Sequence, residues 1–283
     1  MSFLRTILIL GRVSNLPTVW SNCLAGWWLG GDHHSDRLPF VLIGATFLYI
    51  AGMFLNDAFD VNFDRQYRKE RPIPAGAISL KSVWLLGLAW LFFGVIILLW
   101  LGKLTGALGW ALVFCIVLYD AIHKRIELSP VLMGLCRFFL YLIAASAGER
   151  GLTAASIWCG LALAAYVVGL SYLARRESAG GPLKFWSVFF LAVPVLVAIF
   201  KNPNGYSEGR FLLCAVLLLW TMRCLRHTLW SVERNIGLTV SGLLAGIVFV
   251  DWLAAANGPR ELSFVFIALF LAARLFQRFI PAT

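Results

Sequence analysis

Charge is scarce in this chain. Of its 283 residues, 13% are charged and 60% hydrophobic, and the mean hydropathy is +0.82. A soluble domain of that size needs far more charge to cover its surface, so the composition calls for a bilayer as solvent. Acids are the scarcer sign, 14 against 24 Lys and Arg, which leaves a net charge of +10. That excess reads as the bias of cations toward cytoplasmic loops, as the mark of an anionic ligand, or as both. No soluble segment is long enough to form a reading domain, which excludes nucleic acid as a partner. The six cysteines (Cys23, Cys115, Cys136, Cys159, Cys214, Cys224) stand singly in apolar segments. They lack zinc or disulfide spacing and read as small apolar residues. Residues Met1–Thr6 contain no run ending in a small-residue cleavage site, so the first hydrophobic stretch is expected to stay as a membrane span. Nothing alternates with the two-residue period of a membrane β-barrel. Irregular backbone cannot face lipid, so the expected fold is all-α.

Ten apolar segments can be drawn, roughly at 14–31, 38–59, 82–101, 104–120, 129–148, 153–174, 184–200, 209–226, 236–256 and 262–279. The expectation is one domain over residues 1–283, a polytopic membrane bundle of nine to ten transmembrane helices. Of the 24 Lys and Arg, 17 fall in one alternating set of loops and termini, 6 in the other, and Arg137 inside a span. The positive-inside rule makes the richer set cytoplasmic, with both termini, and an even number of spans fits.

Chemistry concentrates at the end of the second span, in Asn56-Asp57-Ala-Phe-Asp60-Val-Asn-Phe-Asp64. Asn56, Asp60 and Asp64 recur every four residues and form one stripe on a helix, with Asp57 beside it. Amide and carboxylate oxygens on one face at the membrane boundary suit a hard divalent cation such as magnesium. Carboxylates at membrane depth are costly and functional by default. Arg65, Arg68, Lys69 and Arg71 follow, then Pro72-Ile73-Pro74-Ala75-Gly76. Acids to hold a metal, with fixed cations close behind, describe a site for a metal-bridged polyanion. The prolines and Gly76 stop the helix and stiffen the turn that brings the cations back. The basic run alone reads equally well as a topology signal.

Asn56-Asp57-x-x-Asp60-x-x-x-Asp64, followed by Arg71-Pro72-Ile73-Pro74-Ala75-Gly76-x-Ile78-Ser79, resembles the first signature of the UbiA superfamily of intramembrane prenyltransferases. Arg12-Val-Ser-Asn15-Leu-Pro17 and Tyr119-Asp120-x-x-His123-Lys124-Arg125 extend the resemblance over most of the chain. It implies a helical bundle around a central cavity, a prenyl diphosphate donor, Mg2+ and a lipophilic acceptor. It implies Asn56, Asp57, Asp60 and Asp64 as metal ligands. Arg68, Arg71, Lys124 and Arg125 would stabilise the departing diphosphate, and Asn15, Tyr119 and Tyr172 would touch substrate.

One part departs from the pattern. The second acidic motif belongs at the end of the sixth span, where this chain has Gly169-Leu-Ser171-Tyr172-Leu-Ala-Arg175-Arg176-Glu177-Ser178. Only Glu177 remains as a carboxylate and candidate metal ligand. Arg175 and Arg176 read as cations that replace a second metal, or as plain topology signals; the alternative is a site that has kept lipid binding and lost catalysis. Asp120 reads as a supplementary carboxylate, as a base toward the acceptor, or as an i+4 partner of Lys124, the last being the expectation from helix spacing. Arg137 lies too deep for a topology signal and is expected to face the bundle interior, near anionic oxygens or a buried acid, as a candidate substrate contact. Asp251 is expected to cap or pair locally, far from the site. Asp32-His33-His34-Ser35-Asp36 has metal-ligand residue types and reads as a solvated external loop.

The function expected is therefore prenyl transfer within a membrane, in a bacterium the cytoplasmic membrane, with the site facing the cytoplasm. No serine or cysteine triad pattern is present, and the reaction needs none. The rival expectation is a non-catalytic carrier of prenyl lipid. The Asp-Gly…Ala-Arg…Gly…Asp…Asp tract of alcohol phosphotransferases is absent.

Overall fold

The computed structural model describes residues 2–31, 36–179, 186–200, 208–230 and 234–281, the side chains of 176–179 excepted. Among them the fold is helical throughout. In chain order come α1 (Phe3–Leu10), a 3₁₀ turn (Val13–Asn15), α2 (Leu16–Leu29), α3 (Leu38–Phe59), α4 (Val61–Tyr67), α5 (Leu80–Leu101) and α6 (Lys103–Ile122). Then follow α7 (Ser129–Ser146), α8 (Ala154–Ala179), α9 (Trp186–Phe200), α10 (Glu208–Leu229), α11 (Ile236–Ala254) and α12 (Arg260–Phe276). Each apolar segment expected as a span holds one helix. The short α1 and α4 are additional.

Among the described residues, seven helices, α3, α5, α6, α7, α8, α10 and α11, are long and apolar enough to cross a membrane. Large apolar side chains such as Phe92, Trp100, Trp110 and Phe114 are exposed, as a lipid-facing surface requires. Three helices are shorter: α2 with 14 residues, α9 with 15 and α12 with 17. At ~1.5 Å per residue α2 rises about 21 Å, and it stands at the centre of the bundle, packed by α3, α7, α8, α11 and α12. Around it successive helices neighbour one another, and α12 returns to α2. Ser14 Oγ donates to the carbonyl of Pro281 at 3.4 Å, so the two ends of the chain meet at one end of the bundle.

Proline starts several of these helices. Pro17, Pro39 and Pro130 sit in the first turns of α2, α3 and α7, where the missing N–H has no helical partner to lose. Glycine lets α2 press on α7. A Cβ added at Gly30 would stand 2.2 Å from the carbonyl oxygen of Ala145, and one at Gly26 would stand 2.5 Å from that of Tyr141. Small residues one turn apart permit such backbone approach, the usual way membrane helices gain packing contacts. Gly30→Val is therefore expected to destabilise the protein by at least about 3 kcal/mol, because the obstacle is backbone rather than a mobile side chain. Thermal unfolding in detergent measures the effect.

Candidate active site

The acids of the second span do not lie on one continuous helix. Helix α3 ends at Phe59, α4 starts at Val61, and Asp60 is the joint, with φ −83° and ψ −2°. The expected stripe of Asn56, Asp60 and Asp64 is thus bent at its middle. The next turn, 68–78, carries Gly76 at φ +72°, a left-handed conformation that glycine adopts without penalty, and swings Arg71 back over the acids.

Two of the carboxylates, Asp57 and Asp60, meet cations from other elements. Asp57 Oδ1 accepts from Arg12 and from Arg71, both at 3.3 Å. Asp60 Oδ1 lies 2.7 Å from Lys124 Nζ, and its Oδ2 lies 3.4 Å from His123 Nε2. Lys124 also sits over the Phe63 ring at 3.8 Å, while Tyr119 stacks on His123 with centroids 5.0 Å apart. Arg12 reaches the site from a strained corner at φ +41°, a conformation that costs a non-glycine residue about 1–2 kcal/mol. Its guanidinium also donates to Asn56 Oδ1 at 3.3 Å.

Asn56 turns its amide nitrogen toward Asp120 Oδ1, 3.0 Å away. This corrects the expected Asp120–Lys124 pair: Asn56 takes Asp120, and Lys124 crosses to Asp60. Among the described residues, two oxygens of the cluster have no protein partner, Asp64 Oδ1 and Asp120 Oδ2, both buried.

The two outermost acids titrate in opposite directions. Burial pushes Asp60 up, but hydrogen bonds and charge from His123 and Lys124 outweigh it and hold the carboxyl below its usual range. Burial also pushes Asp64 up; there Arg71 and Lys124 oppose it, Asp57 and Asp60 reinforce it, and the carboxyl ends above its usual range.

The donor types fit a hard divalent cation. Amide and carboxylate oxygens crowd together, their like charges are felt at Asp64, and two oxygens lack partners. Among the described residues, no three His, Cys, Asp or Glu side chains converge closely enough to form a metal centre. Asp57 and Asp60 face protein cations and do not converge with Asp64.

Arg68, half-buried, stands at the end of α4, and Asn15 is buried at the head of α2. Arg125 is exposed, and Tyr172 packs edge-on against Trp186 at 4.7 Å. Arg175 does not reach the carboxylates. It donates to the carbonyl of Ile126 at 2.7 Å and to Ser129 Oγ at 3.2 Å. It ties α8 to the connection that carries His123 and Lys124, so the expected role as a replacement for a second metal is not the one its geometry displays. Arg175→Gln is expected to raise the KM for a diphosphate substrate about threefold to tenfold, with a smaller change in kcat. Steady-state kinetics on folded protein measures both. The side chains of Arg176 and Glu177 lie outside the described residues, as do residues 32–35 of the acidic, histidine-bearing loop.

Deeper in the bundle lies a second polar cluster. Arg137 on α7, 8% exposed, donates to Asn22 Oδ1 at 2.6 Å, to the Thr18 carbonyl at 3.3 Å and to Thr18 Oγ1 at 3.1 Å. Asn22 in turn donates to Asp251 Oδ2 at 2.7 Å, an oxygen that also accepts from Ser21. Asp251 is wholly buried and pairs across the bundle, which corrects the expectation of a local contact. The expected buried acid near Arg137 is this one, reached through Asn22. Tyr49 bridges the two clusters: its ring stands 6.0 Å from the Arg137 guanidinium and its hydroxyl donates to the Arg12 carbonyl at 3.2 Å.

These features define a class: a polytopic helical membrane protein with an acid-and-cation site at one end of its bundle. The sequence pattern of the UbiA prenyltransferase family matches residues 14–233, and the chain belongs to that family. It is an integral membrane protein of a prenyltransferase class. A digeranylgeranylglyceryl phosphate synthase from Methanocaldococcus jannaschii is 23% identical over 284 residues, covering 93% of this chain and 99% of the relative. A 4-hydroxybenzoate octaprenyltransferase from Methylobacillus flagellatus is 31% identical over 123 residues, covering 42% of this chain and 40% of that one. Among solved structures, a UbiA homolog from Archaeoglobus fulgidus bound to GPP and Mg2+ superposes with a TM-score of 0.67 at 15% identity, covering 95% of this chain and 99% of the other. That likeness is one of fold.

Proposed function

We propose that the protein transfers a prenyl group from a prenyl diphosphate to a lipophilic acceptor within the membrane, with magnesium bound at the end of α3. The observation that carries this reading is the interleaving of Asn56, Asp57, Asp60, Asp64 and Asp120 with Arg12, Arg71, His123 and Lys124. The relatives named above supply the reaction class, and a homolog of the same fold binds GPP and Mg2+. The site end carries most of the cations, so it faces the cytoplasm.

Asn56, Asp57, Asp60 and Asp64 would hold the metal. When bound, magnesium neutralises diphosphate and makes it a better leaving group. The chain's own cations do the rest of the electrostatic work. Arg71 and Lys124 now rest on carboxylates, and an arriving diphosphate offers them denser negative charge. Joined by Arg12 and Arg68, they stabilise the oxygens on which charge develops as the allylic C–O bond breaks. The acceptor's nucleophilic atom bonds to the allylic carbon, and the electron pair of the broken bond leaves with the diphosphate. Asn56 holds Asp120 by Oδ1, which leaves Oδ2 to receive the acceptor's proton. No covalent enzyme intermediate is needed.

The carrier reading keeps one observation in its favour: the end of α8 holds two arginines and a single acid, Glu177. Labelled prenyl diphosphates of graded length, incubated with purified protein, Mg2+ and candidate lipophilic acceptors, separate the two readings. Prenylated product identified by mass supports transfer. Tight binding of the donor without product from any acceptor supports the carrier.

A further inference from the structure

At the end of the bundle opposite the carboxylates lies a cavity of about 820 Å³ between α2, α8, α9, α10 and α11. Its walls are apolar, with Trp28, Trp158, Val197 and Leu253 among them, and two arginines, Arg150 and Arg210, stand in its lining. No acid lines it. Arg210 Nε is buried and has no hydrogen-bond partner among the described residues, a donor left for a ligand.

This end is the cation-poor one, with 6 of the 24 Lys and Arg, so its arginines run against the topological bias rather than with it. Two of those six nonetheless share one cavity. A cavity with apolar walls and two arginines is complementary to an amphiphile with an anionic phosphate head.

We propose that this cavity binds an anionic glycerophospholipid from the leaflet opposite the catalytic site. Arg150 and Arg210 hold its phosphate, and the tryptophan-lined wall holds the upper part of an acyl chain. The lipid is a resident ligand, distinct from the prenyl donor, which belongs to the carboxylate end.

Native mass spectrometry of the full chain in detergent tests this, with phosphatidylglycerol, phosphatidylcholine or inorganic phosphate added separately. The expected result is one phosphatidylglycerol retained at about tenfold lower concentration than phosphatidylcholine. Arg150→Gln with Arg210→Gln abolishes that preference. Ala198→Phe, which fills the cavity and leaves both arginines in place, prevents retention of either lipid. Arg223→Gln with Arg226→Gln, at the other end, leaves retention unchanged. Melting curves with and without phosphatidylglycerol provide a second reading: only the wild type and the Arg223/Arg226 variant gain stability from the lipid. Equal retention of the two lipids by the wild type overturns the proposal, as does undiminished retention in the cavity-filled variant. Occupancy by inorganic phosphate that displaces the lipid identifies a free-anion site and also overturns it.

Discussion

Replacing Asp64 by Asn is expected to slow magnesium-dependent prenyl transfer about a thousandfold, equivalent to about 4 kcal/mol of transition-state stabilisation, while the protein stays folded. The two halves of that expectation have the same origin. Asp64 is buried, its Oδ1 has no protein partner, and it feels the negative charge of Asp57 and Asp60. Removing its charge breaks none of the ion pairs at the site and relieves repulsion, so the melting temperature should hold or rise. Diphosphate neutralisation nevertheless loses an anionic ligand. Asp57→Asn is the contrast, because it weakens the contacts to both Arg12 and Arg71 and should lose stability as well as activity. Initial rates and unfolding curves on both variants decide the matter. Wild-type rates in Asp64→Asn would remove this residue from the metal site.

The second large effect is expected at Arg137 and Asp251. Asp251→Leu strands Ser21, Asn22 and Arg137 in the bundle interior, and Arg137→Met strands Asn22, Thr18 and Asp251. Each single variant should lose about 3–5 kcal/mol, the scale for breaking a buried charged network from one side. The double variant leaves neither charge uncompensated and should recover a large part, a coupling of about 1–3 kcal/mol. Unfolding in detergent provides the cycle. Strict additivity would show that the two residues do not communicate through Asn22.

Much of the architecture was legible because apolar runs are hard to misread. Each of the ten segments holds a helix, and the acids of residues 56–64 do gather beside returning cations. What escaped sequence reading escaped for particular reasons. The bend at Asp60 leaves no trace in a four-residue spacing, which is the same on a straight helix and on two joined ones. Lys124 stands one turn from Asp120 in sequence, yet Asp60 from another helix competes for it and Asn56 satisfies Asp120. Arg12 had a motif position and no role, since only the left-handed corner at φ +41° aims it at Asn56 and Asp57. Asp251 and Ser21 are separated by 230 positions, and nothing local to either announces the other. The available signal was the cost of a carboxylate at membrane depth, which demanded a partner without naming one. The arginines at the end of α8 looked like ligands of an anion, whereas Arg175 is spent on a carbonyl and a hydroxyl of the α6–α7 connection.

The central claim is chemical transfer at the α3–α6 end, and the most direct test is the ratio of diphosphate released to acceptor prenylated, measured in one reaction with purified protein and labelled donor. The expected result is one diphosphate per prenylated product, dependence of both on added magnesium, and loss of both in Asp64→Asn. Donor that binds and is recovered intact with every acceptor, or diphosphate released without prenylated product, would contradict it.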